Sequence, residues 1–227
     1  MRTHTEFMTF SKLASTAGSI PVVVVALVYN DLAIANSSMG RYMEERTSRT
    51  LGHVGRGGTL YFARLLCGHL YEGMPAIAGI RDDACLNSVV SRCRADAAQA
   101  FASLCDCLPG GSEHKSFKER VGWIRNRIAF HYGQSDLSWA MHDRSKRAEA
   151  DRSTLTAGED ILSSRFEFGD DLMDSIVCRK LWCIPRSADL RTESDRIGEW
   201  CNMKTLEVLR FGSDFVPRFL RERRIVI

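Results

Sequence analysis

Five of the eight residues from Arg125 to Tyr132 could do chemistry: Arg125, Asn126, Arg127, His131 and Tyr132. They lie between large apolar side chains, Trp123, Ile124, Ile128 and Phe130. Guanidinium groups offer planar forks suited to phosphate oxygens. Imidazole is the side chain whose ordinary pKa lies closest to neutral, as an acid or base requires. An amide beside them can orient a base or a ribose hydroxyl. On a regular helix, residues advance about 100° each, so Arg127 falls within about 40° of His131, Arg125 about 120° away and Asn126 about 140° away. A helix end would favour the imidazolium through its free carbonyls and macrodipole, whereas the two arginines would oppose it. Such a pocket is wet and cationic, set against a packed core, and most simply suits a phosphate. The bland alternative is a histidine tucked at the end of a core face, because His131 follows Ile124 by seven residues.

The element that must position these groups is a helix. Ser116-Phe117-Lys118-Glu119 has the form of a capping box. Phe117, Val121, Ile124 and Ile128 follow at helical spacing, and Gly133 suits a left-handed C-terminal cap. Three further helices are expected before it. The first covers Ile20 to Tyr42, where length outweighs the strand preference of four valines. The second covers Leu60 to Met74 and the third Ala84 to Leu108, ended by Pro109-Gly110-Gly111. Together they predict an all-α chain with an antiparallel four-helix bundle over residues 20–135. Residues 1–19 read as a loosely ordered start, Met43 to Gly58 as a flexible connection and 136–152 as a polar linker. Residues 153–227 read as a mainly helical C-terminal extension. In it, residues 153–168 form short strands or an irregular arm, and helices cover Asp170 to Trp182 and Thr192 to Phe211. The last has the option of continuing to Phe219 past Pro217.

Composition bounds the class. With 227 residues, 44% hydrophobic and 26% charged, the sequence is that of an ordinary globular protein. A net charge of +3 is too small to imply nucleic-acid binding by itself. No secretory signal is evident, and the apolar run Ile20 to Tyr29 is about half of a bilayer-crossing helix. A cytoplasmic location without membrane attachment is expected. Eight cysteines form no C-x-x-C pair, and several fall on apolar helix faces, where a reduced thiol acts as a small hydrophobe. The six histidines show neither H-x-x-x-H nor H-E-x-x-H spacing. No metal or other cofactor is expected. His69, beside an apolar stripe, reads as a structural histidine.

The segment Arg125-Asn126-Arg127-Ile128-Ala129-Phe130-His131, with five residues between the first Arg and the His, resembles the signature of the HEPN superfamily (higher eukaryote and prokaryote nucleotide-binding). That signature is an Arg, a short spacer and a His, often with a polar residue directly after the Arg. The resemblance covers roughly residues 20–135 and implies a metal-independent endoribonuclease. In it, His131 would handle the proton of a ribose 2′-hydroxyl or of the leaving oxygen. Arg125 would stabilise the phosphorane charge and Asn126 would position the group. Arg127 and Tyr132 would contact the substrate, although Arg127 competes with Arg125 because it shares the face of His131. The resemblance further implies a homodimer with facing motif helices, RNA as substrate and an antitoxin or regulatory protein as partner. A non-catalytic helical module that binds nucleotides or protein partners is the alternative.

Overall fold

The computed structural model describes residues 7–47, 56–129, 132–146, 153, 155–156 and 165–226. Among the described residues the structure is all-α apart from two short strands. It comprises α1 (Phe10–Ser15), α2 (Ser19–Thr47), α3 (Arg56–Asp82), α4 (Ala84–Val90), α5 (Ala95–Asp106), α6 (His114–Phe117), α7 (Gln134–Ser145), α8 (Glu167–Asp174) and α9 (Leu190–Glu222). Three π-helical stretches interrupt this order: π1 (Lys118–Gly122), π2 (Arg125–Ala129) and π3 (Ser175–Leu181). β1 (Leu155–Thr156) pairs antiparallel with β2 (Arg165–Phe166).

The valine run is helical. Val22, Val25, Val28 and Leu32 are buried at helical spacing, so burial of one face overrides the strand preference of the β-branched side chains. α2 has greater reach than its apolar core suggested. Ser19–Tyr42 contains a window of mean hydropathy 1.6, long and apolar enough to cross a membrane by length and composition, with a third of that window buried. A buried core helix of a globular protein meets the same test.

Other elements differ from expectation for local reasons. α1 orders part of the polar N-terminus, where Lys12 donates to the Arg224 carbonyl at 3.2 Å and Met8 bridges Val226. α3 runs on past Met74. Pro75 lies on its exposed side and removes one amide donor, at about 3 kcal/mol in a helix interior, but Ile77 and Ile80 continue the buried stripe. The third expected helix is two. The Asp83 side chain caps α4 by accepting from the Cys85 and Leu86 amides at 2.8 and 3.1 Å. The chain then turns, and the Arg94 amide donates to the Asp214 carboxylate at 2.6 Å before α5 begins. Helix formation also precedes the expected capping box. α6 starts at His114, so Ser116 lies inside it and does not cap.

Residues 136–152 are not simply a linker, since α7 occupies 134–145. Gly133 is the N-cap of α7 with φ −63°, not a left-handed C-cap. Of the expected flexible connection, residues 43–47 end α2 and 56–58 begin α3, so both are helical, and residues 48–55 lie outside those described. Helix α9 crosses Pro217 and extends from Leu190 to Glu222.

Contacts divide the chain into two compact units: residues 1–33, 69–116 and 203–227, and residues 34–68 with 117–202. The first unit packs Leu32, Leu70, Ile77, Ile80 and Leu104 with Phe211, Phe215 and Phe219 as its core. Phe101 and Phe215 flank Phe211 with ring centroids 4.9 and 4.7 Å away. His69 lies in this unit and its Nδ1 sits 3.3 Å from the Asp31 carboxylate, a structural partner as expected. The second unit is centred on Phe117, Val121, Ile124 and Ile128 together with Ile176, Val177 and Leu181.

One buried charge stands out in the first unit. The Lys204 side chain is 4% exposed, with Nζ 2.7 Å from Glu113, 3.2 Å from Glu207 and 2.8 Å from the Ser103 hydroxyl. Burial opposes the charge, but the hydrogen bond to Glu113 and the Glu207 carboxylate outweigh it and raise the lysine pKa. A lysine kept protonated is no base for Ser103, so this cluster is architectural. Burial likewise pushes the neighbouring Cys107 thiol up to about 12.

Both shifts are upward, so both groups stabilise the fold below their unfolded values and lose that contribution as pH rises toward the folded ones. Melting temperature is therefore expected to fall as pH climbs from about 8.5 through 11, the unfolded values of Cys and Lys bracketing the onset. Cys107→Ala should flatten the earlier part of that fall. Lys204→Met should lower stability at neutral pH by about 3 kcal/mol, because two carboxylates lose their shared cation. Urea melts at pH 7 and 10 measure both effects.

Candidate functional site

Arg125, Asn126 and Arg127 lie on π2. Phe117, Val121, Ile124 and Ile128 form the buried face, with Ile124 and Ile128 at 0% and 1% exposure. The hydrophobic spacing is as expected, but the backbone over Arg125–Ala129 is not α-helical. A π-helical turn closes i→i+5 bonds and is wider than an α turn. The angular arithmetic of a regular helix therefore does not apply across the motif. His131 and Phe130 lie outside the described residues, and with them the expectation about imidazole ionisation.

The structure separates the two arginines that compete for the same role. Arg125 Nη1 donates to Asn126 Oδ1 at 3.0 Å, so these two neighbours form one exposed polar unit. Arg127 turns to Asp136, with 3.2 Å between Nη2 and Oδ1. Lys180 approaches the same oxygen at 2.7 Å. The Asp136 side chain is 4% exposed. Both contacts are those of ion pairs without aligned hydrogen-bond geometry. Asp136 is the third residue of α7, where the first-turn amides and helix dipole also favour a carboxylate. The Gly133 carbonyl accepts from the Asp136 and Leu137 amides at 3.0 Å each. A Cβ on Gly133 would stand 3.1 Å from Asp136 Oδ2, so a larger residue would crowd the carboxylate. Lys180 also lies 5.1 Å from the centre of the Trp139 ring, a cation–π contact.

A further cation stands at the end of the motif helix. Arg64, from α3, is 9% exposed, and its Nη1 donates to the Ile128 carbonyl at 3.3 Å. Carbonyls in the last turn of a helix lack helical partners, and Arg64 satisfies one of them. Its guanidinium carbon is 5.9 Å from the centre of the Tyr132 ring, whose residue is 68% exposed. Arg64 Nε is buried without a hydrogen-bond partner among the described residues.

Three residues of this cluster escaped the sequence reading. Arg64 had a usable signal, since it sits in register with Leu60, Cys67 and Tyr71 on the apolar stripe of its helix. Asp136 also had one. Asp136, Ala140 and Asp143 fall at helical spacing and are all buried, but two acids hid the stripe inside a segment that looked like linker. Lys180 carries no comparable signal. Four cysteines (Cys67, Cys107, Cys178 and Cys201) are buried, as expected of small hydrophobes, whereas Cys85 and Cys183 are exposed. No cluster of His, Cys, Asp and Glu among the described residues is placed to hold a metal ion. No family model, curated protein or solved structure matches the chain.

Asp136→Asn should destabilise the protein by about 2–3 kcal/mol, below the full cost of breaking a buried pair because Arg127 is half exposed. Lys180→Met should cost less, because Arg127 still balances the carboxylate. Equal melting temperatures for Asp136→Asn and wild type would remove Asp136 from this role.

Proposed function

We propose that the chain is a metal-independent endoribonuclease of HEPN type, with a HEPN-like four-helix arrangement carrying the motif. The observation that carries the proposal is the buried Arg64 guanidinium at the end of the motif helix, with Nε unsatisfied among the described residues. It adds a cation beside Tyr132, the residue that follows His131 in the sequence. A desolvated cation with spare donor capacity is suited to an anion, and a phosphodiester is the anion that an adjacent imidazole could act on.

The roles then divide. Arg127 is paired with Asp136 and holds the turn, and phosphate recognition is assigned to Arg125 because it directly precedes Asn126. Asn126, bonded to Arg125 and exposed, orients the ribose or phosphate. His131 takes the proton from the ribose 2′-hydroxyl. The resulting oxygen attacks phosphorus, the bond to the 5′-oxygen breaks, and that oxygen leaves with a proton. The products are a 2′,3′-cyclic phosphate and a 5′-hydroxyl end. Tyr132, exposed beside Arg64, offers a ring on which a base can stack. The π turn is consistent with such a site, since these turns recur where function needs a local departure from helix geometry. A homodimer with facing motif helices, a cytoplasmic setting and control by an antitoxin or other regulatory protein complete the proposal.

Purified protein should cleave a mixed-sequence RNA in the presence of EDTA and leave cyclic-phosphate ends detectable by mass spectrometry. His131→Ala and Arg125→Ala should each lower the rate by about 100-fold or more, the range of a lost acid–base or charge-stabilising group. Arg127→Ala should act chiefly on melting temperature. Intact RNA, or wild-type cleavage by His131→Ala, would overturn the proposal in favour of a non-catalytic binding module.

A further inference from the structure

One surface of the first unit takes no part in that chemistry. The chain ahead of α1 is pinned to the chain that follows α9. Met8 bridges Val226 antiparallel, and Lys12 Nζ donates to the Arg224 carbonyl at 3.2 Å. Two aromatic side chains on this seam have no cover, Phe7 at 74% exposure and Phe10 at 81%. Lys12, Arg223 and Arg224 are exposed on the same seam. We propose that this surface docks the protein, peripherally and reversibly, on an anionic phospholipid membrane.

The backbone explains how the cations are presented. α9 ends in a Schellman motif, in which the Ile225 amide donates to the Leu220 carbonyl at 2.8 Å and the Arg224 amide to the Arg221 carbonyl at 2.9 Å. This closure puts Arg224 at φ 53°, the left-handed position that glycine usually fills at a helix end. Ile225 is thereby buried, while Arg223 and Arg224 stay in solvent. An arginine in that conformation costs free energy that a glycine would not. The acid within the run, Glu222, is held by two hydrogen bonds from Arg92 at 2.8 and 2.5 Å, which keep its carboxyl below the usual carboxylate range. Its charge is balanced inside the fold. Among the described residues of the seam, the charge left facing outward is positive.

Apolar surface continues onto α2, which is joined to α1 through residues 16–18. Ile20 is exposed, and so is Leu27, seven residues on and therefore on the same helix face. Of the apolar window in Ser19–Tyr42 only a third is buried, so the fold leaves much of it uncovered. The opposite face packs Val22, Val25, Val28 and Leu32 into the core, so the helix lies against the protein and does not span a bilayer.

Exposed phenyl rings gain from the boundary between headgroups and acyl chains, and adjacent cations gain from lipid phosphates. A second copy of the chain suits this face less well, because an isologous pairing would set Lys12, Arg223 and Arg224 against their own images. An acidic polypeptide would meet the cations and leave both rings unmatched. The proposal replaces the expectation of a chain without membrane attachment by one of surface contact, and it is independent of RNA cleavage.

Flotation of the full chain with phosphatidylcholine vesicles, with and without about one-third phosphatidylserine, tests it. The chain should float with the anionic vesicles at about 0.1 M salt and release at about 0.5 M. Partition to phosphatidylcholine alone should be weaker by about tenfold or more. Arg224→Gly should keep or raise the melting temperature while weakening partition by about threefold to fivefold, which separates lost charge from lost fold. Phe7→Ser combined with Phe10→Ser, both at exposed positions, should weaken it by about tenfold or more. His131→Ala should float like wild type. Absence from anionic vesicles at low salt, or undiminished flotation in either Arg224→Gly or the double phenylalanine variant, would overturn the proposal. So would a dimer in sedimentation velocity that the double variant abolishes, which would assign the face to a second copy.

Discussion

A buried carboxylate with two cations sets the geometry around the motif. Asp136 cannot be buried alone, because an isolated charge in the protein interior costs several kcal/mol even after relaxation. Arg127 and Lys180 offset that cost, and in doing so they hold π2, α7 and π3 in one arrangement. The same interaction gives different partners to two arginines that are two residues apart. One guanidinium pairs with Asp136, and the other donates to its neighbour Asn126. The proposed chemistry depends on that separation, since a phosphate would otherwise compete with Asp136 for the same fork.

The first unit follows a similar logic with the signs reversed. There a single ammonium, Lys204, sits between Glu113 and Glu207 and donates to Ser103. In both clusters a charge at a core position is balanced partly by a side chain distant in sequence, Lys180 in one and Glu113 in the other. Such clusters add little net stability over a well-packed apolar core, but breaking one partner is expensive. They make pairing specific, because a helix that shifted by one position would leave a charge without its counterpart.

The π-helical stretches connect these features to binding. π1 and π3 bring Arg120 and Trp182 to one cleft, and π2 carries Arg125, Asn126 and Arg127. Wider turns re-aim side chains that regular helices would place elsewhere. Arg64 acts as a local donor to the Ile128 carbonyl, which is why a net charge of only +3 conceals it.

Apolar periodicity alone determined much of this protein. The all-α class, helix over strand for the valine run, and the buried stripe of Phe117, Val121, Ile124 and Ile128 all follow from residues within a few turns of one another. The grouping of Arg125, Asn126 and Arg127 against that stripe was equally legible, because neighbours on a helix need no distant partner to be recognised. Only tertiary structure decided that residues 134–145 form a helix, that α3 and α9 run through Pro75 and Pro217, and that Arg127 rather than Arg125 pairs with Asp136. The physical reason is common to these cases. Each rests on burial or charge balance supplied by segments far along the chain, and a buried acid looks like solvent-facing polarity until its cations are in place.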